Sequence, residues 1–249
     1  MNIYQKPTNL DDVILLMENI IQECITTRNK AGYFIAMYYT VTCKIRETIN
    51  NKEFINNDFI HTLAVNFANF YLEAWFNNKY NLTNSSSWDI TFKSKNIDII
   101  LQHILLGMNA HINFDLGIAT YQTCKTLNIN IDSIYNDFIH INMILESMSY
   151  KVITNLNKLS PLISLLGLHK KRGLMLVDFT IEKARDGAWK FTKELNDESY
   201  LAKIKERDIK ITNLGKKIID VPLLAKITLN LIKIFEKKNI SKNIKEIKS

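Results

Sequence analysis

Between Asp98 and Lys125 the chain carries one formal charge, Asp115. Helical spacing places apolar side chains on every side of this stretch, and a helix that is apolar all round has to be enclosed by other helices. That requirement constrains the fold more than any other feature of the sequence. The remaining residues must supply a ring of helices around a central one at about 97–127. Composition agrees, because 7 Gly and 3 Pro in 249 residues are too few for the turns of a β-sandwich or a Gly-rich nucleotide fold. The fold class expected is all-α, a single multi-helix bundle around the buried central helix.

The surrounding helices are legible in their periodicity. Thr8 or Asn9 can cap a first helix whose apolar face is Val13, Leu16, Met17, Ile20, Ile21 and Cys24. Further helices are expected over Tyr33–Ile49, about Asn57–Phe76, from Asp132 to about Leu159, and over Leu174–Leu195 and Glu198–Ile219. Asn77–Ser87 reads as a loop and Gly167–Gly173 as a connection. Pro222 starts a last helix. Ile209–Leu214 is the one short strand candidate. Residues 1–195 form the expected core domain, and 196–249 form charged helices packed on the same domain and ending in a basic tail.

That tail, Lys233–Ser249, holds six Lys against two Glu, which is +4 of the chain's +7. Such a tail can contact anionic surfaces, although a frayed, solvated helix end is the simpler expectation. No nucleic-acid motif is present. The three cysteines, Cys24, Cys43 and Cys124, are far apart and suggest reduced core residues of a cytoplasmic protein. No apolar run reaches the roughly 20 residues of a membrane span.

The central helix also carries His103, Asn109, His111, Asn113 and Asp115. Buried polar groups need partners, so five of them in thirteen positions are costly unless they serve a purpose. Positions four apart differ by roughly 40° on a helix, so His103, Gly107, His111 and Asp115 form one row. Gly107 opens space between the histidines. Asn109 and Asn113 form a second row, suited to hydrogen-bonding neighbouring helices or to contacting a ligand. The pentapeptide N-D-F-I-H occurs twice, at Asn57–His61 and Asn136–His140, and sets Asp58 and Asp137 three residues before a histidine. Carboxylate-x-x-His pairs hold metals in ferritin-like bundles, where Glu73 and Glu146 could bridge. The candidate metal ligands are therefore His103, His111, Asp115 and Asp58, around a divalent zinc or iron ion. The candidate catalytic groups are His111, Asp115 and Asp137. Arg185, Tyr39, Asn109 and Asn113 are candidate ligand contacts, with Tyr38 and Tyr71 beside them. Arg185 can lie over Trp189, bind a carboxylate on the central helix or recognise an anion.

At these residues the chain resembles a bacterial family of helical proteins known only as a domain of unknown function. The resemblance rests on Gly107–Leu116 (G-M-N-A-H-I-N-F-D-L), Phe67–Tyr71 (F-A-x-x-Y), Trp88, Asp137–Asn142 (D-F-x-x-I-N) and Arg185–Trp189 (R-D-G-A-W), over about residues 30–195. It implies an all-helical fold and supplies no activity. In that pattern the two aspartates of the repeated pentapeptide are more characteristic than His61 and His140. A fainter likeness, carried by His111 and Asp115 alone, is to zinc-dependent phospholipase C and P1-type nucleases, and implies a metal-dependent hydrolase.

Two functional readings follow. One is an enzyme acting on a small molecule, hydrolase-like and metal-dependent, through a buried His/Asp site. The other is a ligand-binding or structural protein in which the same His, Asn and Asp residues form a hydrogen-bond network.

Overall fold

The computed structural model describes residues 5–94, 97, 99–166 and 181–249. Among these the chain is all helical, without strands. The expected connection at Gly167–Gly173 and the first turns of the helix expected from Leu174 lie outside the described residues.

Helix α1 (Leu10–Thr27) starts where the Asn9 side chain accepts from the Asp12 N–H at 2.9 Å, and ends at Arg28 in left-handed conformation, φ 54°. Helix α2 (Gly32–Asn50) runs back against it. Helix α3 (Asn57–Lys79) is capped by the Asn56 side chain. A short helix, α4 (Ser86–Lys93), follows the expected loop and is capped by Ser85. Helices α7 (Tyr135–Leu159), α8 (Ile181–Glu194) and α9 (Tyr200–Ile219) match the expected periodic segments. The strand candidate Ile209–Leu214 is part of α9 instead, because its apolar residues serve a helix face on which Ile211 is buried. Asn130 caps the turn that leads into α7, two residues before the helix start expected at Asp132.

The enclosed rod is α5 (Ile100–Ala110), a single π turn (His111–Asp115) and α6 (Leu116–Leu127) in continuous succession. In α5 every residue but His103 is buried. Helices α2, α4 and α9 pack around α5, while α3 and α8 pack against the π turn and α6. Close approach depends on glycine at two places. A Cβ at Gly107 would lie 2.2 Å from the Phe34 ring, and one at Gly117 would lie 2.9 Å from the Ala188 carbonyl oxygen.

The C-terminal segment forms α10 (Leu223–Phe235) and α11 (Ile240–Lys248). It is not a frayed end. Ile244 and Ile247 are buried, with α11 lying against α1 and α2, and Lys248 pairs with Glu18. Between the two helices, the carboxylate of Glu236 accepts the Ile100 N–H at 3.1 Å and the Ser160 hydroxyl. It thereby sets negative charge at the positive end of α5. Among the described residues no helix is long and apolar enough to cross a membrane.

Candidate functional site

His111 and Asp115 meet as their spacing suggests, with Nδ1 and Oδ2 3.1 Å apart and both side chains 2% exposed. The Trp88 indole Nε1 donates to the same Oδ2 at 3.0 Å. Phe67 stacks on the imidazole at 3.6 Å and 5° between planes, and Tyr38 meets it edge-on at 4.4 Å. Burial pushes the Asp115 carboxyl well up and the His111 imidazole well down. A net charge is costly in such a place. The uncharged pair that burial favours is a carboxyl donating from Oδ2 to Nδ1, which leaves the ring hydrogen on Nε2. That Nε2 has no hydrogen-bond partner among the described residues.

The other sequence candidates are distributed around this pair and do not join it. The Phe34 ring fills the space beside Gly107, so the gap expected between the two histidines is occupied by protein. His103 instead packs its ring against Tyr33 at 5.7 Å, and burial draws its imidazole down to about 3. The Asp137 carboxylate accepts the Ile55 and Asn56 N–H groups, each at 2.8 Å, and so anchors the start of α3. Asp58 is exposed in the first turn of α3. No cluster of three His, Cys, Asp or Glu able to hold a metal occurs among the described residues.

Asn109 donates to the Ile211 carbonyl at 3.0 Å, and Asn113 donates to the Asn109 side chain, so this second row ties the rod to α9. Tyr39 does not meet the His111–Asp115 pair, and its ring lies under Lys248 at 4.7 Å. Arg185 lies over Phe138 at 4.3 Å rather than over the Trp189 indole. Its Nε donates to Asn142 Oδ1 and one terminal nitrogen donates to the Phe138 carbonyl at 2.7 Å. Sequence reasoning missed the roles of Phe34 and Phe67 and the bond from Trp88. Phe67 and Trp88 stand in the segments that carry the family resemblance, and that was their only signal.

Beside the His111–Asp115 pair lies a cavity of about 310 Å³. Helix α7 forms one wall along four turns through Ile141, Leu145, Met148, Val152 and Leu156, while Tyr38, Phe67 and Ile112 face it. Of the α7 side chains that face it, Ile141, Leu145, Met148 and Val152 are half-buried and Leu156 is buried. From Ile141 to Leu156 the helix rises about 22 Å, so the space is long and narrow. His111 lines it, and among the described residues Arg185 is the one formally charged residue in its wall.

A family model described as a family of unknown function, DUF5995, matches residues 10–221. The chain belongs to that family. No curated protein and no solved structure matches it. The fainter likeness to zinc-dependent phospholipase C and P1-type nucleases is unsupported.

Proposed function

From membership of a family without an assigned activity, we propose that the chain is a binding protein for an apolar small molecule held in the cavity beneath α7. One observation carries this reading: a long space of about 310 Å³ walled almost wholly by apolar side chains. Ligand sites are concave, mostly apolar and furnished with a few polar groups, and their volumes begin at about 300 Å³. A void of this size left empty would forfeit packing along its whole lining.

The experiment is displacement of an apolar fluorophore, together with mass spectrometry of solvent extracts of the purified protein. Ala64 lines the cavity. Ala64→Phe should lower fluorophore affinity at least tenfold while leaving the helical signal intact. Unchanged affinity in the filled variant would remove this reading.

A second reading is catalytic and is favoured by one observation, the unpartnered Nε2 of an imidazole whose other nitrogen is fixed by a carboxyl group. That arrangement is suited to moving a proton at Nε2. It gains ground if an extracted molecule is converted on incubation with the protein and survives incubation with His111→Leu. Recovery of the molecule unconverted from both proteins leaves the binding role alone.

A further inference from the structure

Arg185 is 4% exposed, and no acidic side chain pairs with it among the described residues. Asn142 and the Phe138 carbonyl satisfy two of its nitrogens, and both are neutral. The third nitrogen, Nη1, has no hydrogen-bond partner among the described residues. Burial draws the guanidinium down only to about 9, so it is cationic at neutral pH. The adjacent Asp186, which is exposed, favours that charge without pairing with it, and a buried charge that lacks a paired counter-charge costs several kcal/mol. The Arg185 side chain forms part of the cavity wall, to which Ile141 and Leu145 of α7 also contribute.

We propose that Arg185 takes the carboxylate of an unesterified fatty acid whose hydrocarbon chain lies along α7. This rests on the binding role argued above and assigns the ligand's chemical class. A carboxylate matches the guanidinium in charge and in its flat, forked geometry. A phosphate monoester, nearly twice as negative, would leave charge uncompensated among apolar walls. The narrow shape suits one chain rather than a ring system. Size follows by proportion: an apolar cavity of about 150 Å³ accommodates benzene, with its six carbons, so twice the volume has room for about twelve.

The test is calorimetric titration at pH 8 with dodecanoate and with methyl dodecanoate, which has the same chain and no charge. The intact protein should prefer the acid at least tenfold. Asn142→Asp sets a carboxylate of the chain's own beside Arg185 and should abolish that preference while methyl ester binding persists. Arg185→Met should do the same, with circular dichroism to check its fold. Equal affinity for acid and ester in the intact protein, or a preference that survives Asn142→Asp, would overturn the assignment and leave the binding role standing. Failure to bind either molecule would overturn both.

Discussion

Asp115 shows how a single side chain can be tolerated where its charge is not. Its carboxyl accepts from the Trp88 indole and meets His111 Nδ1, wholly out of water. A neutral carboxyl and a carboxamide are nearly equivalent here, since an Asn oxygen set where Oδ2 stands can accept from both the Trp88 indole and the Nδ1–H tautomer of His111. Asp115→Asn should therefore cost less than about 1 kcal/mol, whereas Asp115→Leu strands two buried polar groups and should cost about 2–4 kcal/mol. Urea denaturation of both variants measures this. A carboxamide variant as unstable as the leucine one would show that the pair depends on a formal charge. The i, i+4 meeting of His111 with Asp115 was legible in the sequence because it is local to one helix. The indole was not, since Trp88 reaches Asp115 from α4, and nothing in the spacing of either segment encodes that approach.

At the scale of elements, most helices were legible because each buries one face at a 3.6-residue period. The enclosed rod was legible for the opposite reason, its lack of a polar face. Its π turn was not: a π turn is stabilised by what packs around it, and here both α3 and α8 press on His111–Asp115. Gly107 was visible as a gap, but the sequence could not say that Phe34 from α2 would fill it. The fit is tight, with no room for one methyl group. Gly107→Ala should destabilise the protein by about 1–3 kcal/mol, despite alanine's better helix propensity. Phe34→Ala removes the Cγ and Cδ atoms that the methyl group would meet, so it should cost less on the Gly107→Ala background than alone. Simple additivity of the two losses would place the strain elsewhere.

The whole molecule closes through its C-terminal helix. The family match ends at residue 221, yet α11, beyond it, inserts Ile244 beside Gly32 in the seam between α1 and α2. In the lysine-rich tail Ile240, Ile244 and Ile247 repeat at helical spacing and mark a face to be buried, but the seam that receives them is formed by residues far away in the sequence. Ile244→Asp should cost about 3–5 kcal/mol by leaving an uncompensated charge in that seam. A melting temperature within a degree of the parent's would show that α11 contributes nothing to the core. The hydroxyl of Ser241 donates to the Ile25 carbonyl, a contact that spans 216 residues. On a ribosome making about 5–20 residues per second, the α1–α2 hairpin therefore emerges on the order of ten to forty seconds before the helix that covers it. For that interval the nascent chain displays a greasy furrow, which is the kind of surface that holding chaperones bind.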